Sequence, residues 1–403
     1  MFQGVVHGNV AFMIIATVLV FIMTPGLALF YGGLVEKKNC LTIMVQILLS
    51  IGIVTIMWIF GGFSMVFGKD IGGVIGNPLQ YMTFSNTIFA VNSEYGLTIP
   101  FLMFFMYQLM FAIITLPLMT GSIVNRLNIG GWIKLLIIWM ILVYFPVAHW
   151  IWGGGFLHKM GFVDFAGGTV IHASAAFSGL GAIWVLGRRK VICKKAPFNL
   201  GLVLIGAAIL MFGWFGFNAG GALTAAGIAS IAFTNTGVAC ASGMVLWTIL
   251  YYCEHKKFSF VEPMIGAVAG LATITPASGY VAPMSAVFIG ALAGVVCYFA
   301  IKIPRKLQWD DVLDVWGVHG VGGFIGTLCI GIFANKIVNG VDGNLHQFLI
   351  QLFGVVLVSI YSLVVTMIII KILDKVSDIR VTKEELEAGL DKSLLGESFI
   401  SDK

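Results

Sequence analysis

The sequence predicts an all-α integral membrane protein with eleven transmembrane helices, in which spans 1–5 and 6–10 form inverted repeats. Three observations predict it. Of 403 residues, 59% are hydrophobic and only 10% are charged, whereas a soluble domain carries about 25% charged residues. Apolar runs recur from end to end with no soluble block between them, and about 20 apolar residues suffice to cross a bilayer core. The basic residues form short clusters between those runs, where membrane topology places them.

The spans fall at 9–34, 41–67, 100–125, 131–152, 164–187, 198–218, 228–252, 262–278, 280–301, 312–334 and 346–373. The first has no Lys or Arg before Lys37. It therefore lacks the basic region that opens a signal peptide and reads as a retained helix. The eighth and ninth abut at Thr275-Pro276-Ala277-Ser278-Gly279, a turn-like sequence. Merging them would invert everything downstream. Charge decides against the merger. With the N-terminus outside, 20 of the 23 Lys and Arg residues fall inside, and only Lys69, Lys159 and Lys336 fall outside. That is the positive-inside bias. It expects a multi-pass protein of the cell membrane with its C-terminus in the cytoplasm. Residues 1–375 then form the membrane domain and 376–403 a cytoplasmic tail, in which Thr382-Lys383-Glu384-Glu385 reads as a capping box.

The 50 glycines include GxxxG pairs at Gly216/Gly220, Gly266/Gly270, Gly290/Gly294 and Gly322/Gly326, a spacing that lets helix backbones approach closely in lipid. The net charge of +5 is scattered among the topological clusters, so no nucleic-acid partner is expected. The six cysteines form no CxxC pair, so neither a disulfide framework nor a metal motif is expected. No nucleophile–base pair stands out either. The chain therefore reads as a non-enzyme without a cofactor.

Polar groups inside spans are costly and mark function by default. Two stand out. His172 follows Asp164 by eight residues in the fifth span, and His319 follows Asp311 by eight in the tenth. Eight helical residues rise about 12 Å. The fifth span enters from outside and the tenth from inside, so both histidines come out near the midplane of a core ~30 Å thick. That is where inverted-repeat transporters hold their substrate. Either histidine alone could be a satisfied packing residue. Two at matched positions point to a site, in which a neutral pair shares one N–H···N bond. Asp164 and Asp311 are candidate helix N-caps.

Several stretches carry a resemblance. They are Pro25-Gly-Leu-Ala-Leu-Phe-Tyr-Gly-Gly33, Ala148-His-Trp-Ile-Trp-Gly-Gly-Gly155, Asp164-Phe-Ala-Gly-Gly-Thr-Val-Ile-His172, Gly213-Trp-Phe-Gly-Phe-Asn-Ala-Gly220, Gly317-Val-His-Gly-Val-Gly-Gly323 and Glu387-Ala-Gly-Leu-Asp-Lys-Ser-Leu-Leu-Gly-Glu397. Together they resemble the ammonium transporter family (Amt/Mep/Rh), and within it the Amt type. The resemblance implies ammonium or ammonia as substrate, a homotrimer with one pore per subunit, and a PII-type signal protein as a partner of the tail. It implies that Trp152 and Phe111 form an outer cation-recruitment site supported by Asp164. It further implies that Phe111 and Phe217 form a gate, that His172 and His319 are the twin pore histidines, and that Trp214 lines the pore beside them. The chain departs from the family at Gly221, where a serine is usual, at Tyr107, where phenylalanine is common, and at Leu395, where a histidine is usual. An ammonium sensor signalling through the tail is the alternative function.

Overall fold

The structure, a computed structural model, describes residues 4–85, 90–189 and 197–399. The basic residues Lys190, Lys194, Lys195 and Lys403, counted above as inside, and Cys193 lie outside the described residues. Among the described residues, ten helices are long and apolar enough to cross a membrane: His7–Leu34, Lys37–Phe67, Phe101–Thr120, Ile129–Lys159, Gly168–Leu186, Leu200–Ala222, Gly227–His255, Pro283–Leu307, Trp316–Phe333 and Leu345–Val376. An eleventh apolar helix, Glu262–Ile274, is shorter. It lies between the seventh and ninth spans as the expected eighth. The turn expected at Thr275–Gly279 is present, and Pro283 opens the next helix at its first position, where a missing N–H costs nothing. The only sheet among the described residues is a hairpin of two two-residue strands, Asp70–Ile71 and Ile75–Gly76.

The two repeats meet along their first helices, spans 1 and 6, which pack along much of their length. Gly206 permits this: a Cβ there would stand 2.3 Å from the backbone nitrogen of Phe30. The GxxxG expectation holds at the seventh span. A Cβ on Gly270 or on Gly290 would meet the Ala239 carbonyl at 2.3 and 2.4 Å, so helices 8 and 9 both close onto one turn of helix 7. Any side chain at either position would force the backbones apart.

The tail docks on the membrane domain. Val381 N–H donates to the Arg126 carbonyl and Asn128 N–H to the Ile379 carbonyl. Buried Asp391 accepts from the N–H groups of Leu41 and Thr42 and from the Thr42 hydroxyl, at 2.8 to 3.0 Å. It thus caps the otherwise unpartnered donors at the start of the second span. The capping box forms as read, with both Thr382 and Glu385 bonds present ahead of helix Lys383–Ala388. Beside this docked tail, Arg126 and Arg189 grip Asp310 at 2.9 and 2.8 Å. Burial raises the Asp310 pKa, but the hydrogen bonds from Arg189 and the two guanidinium charges outweigh it, and the carboxyl lies below its usual range. On the opposite face His149 and Lys159 hold Asp70 and lower its pKa to about 2.

Candidate pore and vestibule

Both histidines sit on π-helical turns. Gly168–Ala173 opens the fifth span and carries His172, and Trp316–Gly320 opens the tenth and carries His319. A π turn widens the helix by one residue and is frequent at functional sites. The geometry corrects the depth argument made from spacing. Residues 164–167 and 311–314 precede their helices, so the eight residues from each Asp to its His are only partly helical. The chain instead reaches the middle of the molecule as buried non-helical backbone, which is tolerated at membrane depth only when protein surrounds it.

Asp164 makes that possible. Its Oδ1 accepts from the N–H groups of Gly167 and Gly168, both at 2.8 Å, and its Oδ2 from Thr169 and Val170 at 2.7 and 3.0 Å. All four unpartnered donors at the start of the fifth span are thereby met. Gly167 stands at φ 106°, a conformation glycine adopts without strain. Asp311 does the same job more sparsely in the tenth span, accepting from Trp316 N–H at 2.8 Å. The N-cap positions themselves are Gly167 and Val315, so the expectation is corrected: Asp164 and Asp311 cap their helix starts from three and four residues upstream of those positions.

The two caps bring the histidines face to face. Their Nδ1 atoms are 3.2 Å apart and the rings lie nearly parallel, 5.1 Å between centroids. One Nδ1 must donate and the other accept. The pair therefore presents one outward Nε2 acceptor and one outward Nε2–H donor. The buried Nε2 of His172 has no hydrogen-bond partner. The rest of the line follows from His172. Trp214 stacks on it at 5.3 Å, and Phe217 lies at 6.0 Å. Phe217 meets Phe111 at 4.5 Å, and Phe111 meets Trp152 edge-on at 6.1 Å. Trp214 is oriented by its indole N–H, which donates to the Thr275 hydroxyl at 2.9 Å. Trp152 is oriented by its own, which donates to the Asp164 carbonyl at 2.8 Å.

The phenylalanine pair separates two cavities of different character. Below it lies about 20 Å³, lined by both histidines and Trp214 and otherwise mainly by apolar side chains such as Leu27, Ile114 and Val268. That volume is about one water's worth. Above it a vestibule of about 360 Å³ holds Phe111, Trp152, Tyr107, Asp164 and Gly221. Every sequence-derived site residue thus lines one of these two cavities. Sequence reasoning missed Phe165, Tyr95 and Glu94, which also line the vestibule, and Tyr31, which lines the lower cavity. Phe165 and Tyr31 stood inside the quoted stretches as unremarked aromatics. Nothing in the sequence marked the loop that supplies Tyr95 and Glu94.

This ordered line of aromatics and paired histidines runs through a chain whose residues 11–399 match the sequence profile of the Ammonium Transporter Family. The chain belongs to the ammonium transporter family. It is 46% identical over 396 residues to an ammonium transporter of Aquifex aeolicus, covering 97% of this chain and 92% of that one. It is 41% identical over 394 residues to the ammonium transporter Amt1 of Archaeoglobus fulgidus, covering 96% and 97%. Among solved structures, Mep2 of Saccharomyces cerevisiae superposes with a TM-score of 0.89 at 32% identity, covering 95% of this chain and 89% of that one. A protein described as a sensor Amt protein superposes with a TM-score of 0.88, also at 32% identity, covering 95% and 97%.

The two vestibule departures of this ammonium transporter family member have physical readings. The Tyr107 hydroxyl is buried and donates to the Phe217 carbonyl at 2.7 Å, tying the vestibule lining to the helix that carries Phe217 and Trp214. Gly221 makes room for Phe165: a Cβ there would stand 2.9 Å from the Phe165 carbonyl and 3.0 Å from its ring. Gly279 flanks the same ring from another side, where a Cβ would stand 2.1 Å away. A serine at 221 therefore adds an acceptor to the vestibule but pushes Phe165. Gly221→Ala separates the two effects, since it adds the same Cβ without the hydroxyl. The expected outcome is that Gly221→Ser lowers the half-saturating ammonium concentration and Gly221→Ala raises it or leaves it unchanged. Uptake measured at equal expression checks this, and equal values for Gly221→Ser and the unsubstituted protein would remove position 221 from cation binding.

Proposed function

We propose that the protein recruits ammonium at Trp152 and Phe111 and conducts ammonia past the Phe111–Phe217 gate and along His172 and His319. The observation that carries this reading is the hydrogen-bonded histidine pair, 3.2 Å apart in a cavity of about 20 Å³ that is otherwise mostly apolar. Aromatic faces attract a cation by about 0.5–2 kcal/mol, depending on desolvation. An unpaired charge in an apolar cavity costs far more than that. The ion therefore gains at the vestibule and loses below the gate unless it gives up its proton. Ammonium can do so and potassium cannot, so the pore discriminates by chemistry between two ions of similar size and equal charge. Neutral ammonia needs only a donor and an acceptor on its way, and the pair offers one of each. Histidine also titrates near neutral pH, which suits the pair to relaying the released proton.

Around this pore the roles are distributed. Trp214 lines it, Asp164 supports Trp152 from below, and Tyr107 braces the gate. The basic-residue bias favours the vestibule face outside, with N-terminus outside, C-terminus cytoplasmic, in the cell membrane. Family resemblance favours a homotrimer and a PII-type signal protein at the tail. It also favours transport over catalysis. A second reading, an ammonium sensor, draws on two observations: the likeness to a sensor Amt protein and a tail tied directly to the membrane domain through Asp391 and Arg126. Reconstitution into sealed vesicles tests the first reading. Ammonium gradients are expected to drive flux that equal potassium gradients do not. Absence of ammonium flux from well-folded protein would favour the sensor, and equal flux of both ions would reject the neutral pore.

A further inference from the structure

We propose that Glu94 is an electrostatic recruiting residue, the one carboxylate of the vestibule left free to draw ammonium toward Trp152. This rests on the transport reading above and extends it. Two acidic side chains line the vestibule, Asp164 and Glu94. Asp164 is buried and turns both oxygens onto four backbone donors of the fifth span. It is engaged with the helix start and has little left for an arriving ion. Glu94 is exposed and makes no ion pair among the described residues. Of the other carboxylates on this face, Asp70 is ion-paired with Lys159, and Asp342 lines neither the vestibule nor the pocket that adjoins it. Lys69 and Lys159 line the outer pocket with Glu94, but among the described residues no Lys or Arg lines the vestibule itself, which leaves Glu94 as its unpaired carboxylate.

Its position is built. Glu94 and Tyr95 both donate their N–H groups to the Asn92 side chain, at 2.8 and 3.1 Å, which fixes the turn. Tyr95 anchors that turn by stacking on Phe104 at 5.3 Å and meeting Phe67 edge-on at 5.1 Å. Phe104 and Phe67 themselves line the vestibule, so the carboxylate is fixed to the same aromatic wall that the ion must reach. Glu94 also lines the adjoining open pocket of about 700 Å³, shared with Trp152 and His158. It thus stands where bulk solution passes into the vestibule. Its field is felt locally: burial first, and then the Glu94 charge, push the Tyr81 and Tyr95 hydroxyls above their ordinary values. A fixed charge at the mouth of a low-dielectric cleft raises the local concentration of the opposite ion. This matters more here because Gly221 contributes no side-chain acceptor deeper in the vestibule.

The test uses the full chain in sealed vesicles, with ammonium as the probe. Flux is measured against ammonium concentration at an ionic strength of about 0.01 M, where the Debye length is ~30 Å, and again near 1 M, where it is ~3 Å. At low ionic strength Glu94→Gln is expected to raise the half-saturating concentration about threefold, the scale one charge exerts across a few ångströms of water-like dielectric. The maximal rate stays unchanged, and the difference closes at high ionic strength. Glu94→Asp, which keeps the charge, is expected to stay near the unsubstituted protein. Equal half-saturation for Glu94→Gln and the unsubstituted protein at low ionic strength would overturn the proposal. So would a defect that persists undiminished at high ionic strength and is shared by Glu94→Asp, because that pattern belongs to a structural role. Failure of the unsubstituted protein to move ammonium at all would overturn the transport reading beneath it, a result recognisable without any variant.

Discussion

Replacing either histidine of the buried pair with alanine is expected, on the proposed transport function, to lower ammonium flux per folded molecule by roughly tenfold to a hundredfold, following the ~1–3 kcal/mol cost of leaving a buried polar group unsatisfied. Among the described residues, the Nδ1–Nδ1 bond is the only hydrogen bond either ring makes. Loss of His319 leaves His172 with both nitrogens unpartnered in a cavity of about 20 Å³. Ammonia then meets one ring without a fixed tautomer in place of an ordered donor and acceptor. His172→Ala should act at least as strongly, because His172 also stacks against Trp214 and Phe217, and its removal takes away the ring that both pack against. Flux normalised to folded protein separates a pore role from a packing role. Unchanged flux in both single variants, with a lower yield of folded protein, would make the pair structural.

Asp164→Ala is expected to act on the fold before it acts on transport. It removes the acceptor of four backbone N–H groups at the start of the fifth span. One orphaned buried donor costs about 1–3 kcal/mol, and four cannot all find other partners at a buried helix start. A loss of about 3 kcal/mol or more follows, enough to deplete folded protein sharply given the marginal stability of proteins. Asp164→Asn keeps one carbonyl oxygen, but sets its NH₂ group against two N–H donors, so an intermediate loss is expected. Thermal unfolding in detergent, read beside ammonium flux, distinguishes this from direct cation binding. An Asp164→Asn protein with unaltered stability and only a raised half-saturation would show that the carboxylate serves the ion rather than the helix.

Much of this was legible before any coordinates. Asp164 and His172 could be paired with Asp311 and His319 because polar groups are rare in lipid and each one therefore carries information. The break between the eighth and ninth helices was legible because Pro276 and Gly279 stand at a boundary that the basic residues independently demand. The tail was less transparent. Its capping box was readable from four residues, but the bond from Asp391 to Thr42 joins positions 349 apart, a pairing no local pattern encodes. Glu94 was invisible for a similar reason. An exposed acid in a loop is ordinary in sequence, and becomes notable only when the fold sets it beside Trp152.

The sequence by itself determined that the chain spans a membrane many times, that its repeats oppose each other, and that His172 and His319 belong together. Composition, the positive-inside bias and the scarcity of intramembrane polar groups suffice for that, since lipid imposes them on any chain. Only the tertiary structure decided how the histidines meet. The expected continuous helix from each Asp to its His gave way to capped, non-helical approaches ending in π turns. The reason is that four amides converging on one carboxylate stabilise a buried turn that residue spacing cannot reveal. The structure likewise turned Gly221 from a missing hydroxyl into the space that Phe165 occupies, because whether a glycine is an absence or a fit depends on what packs against it.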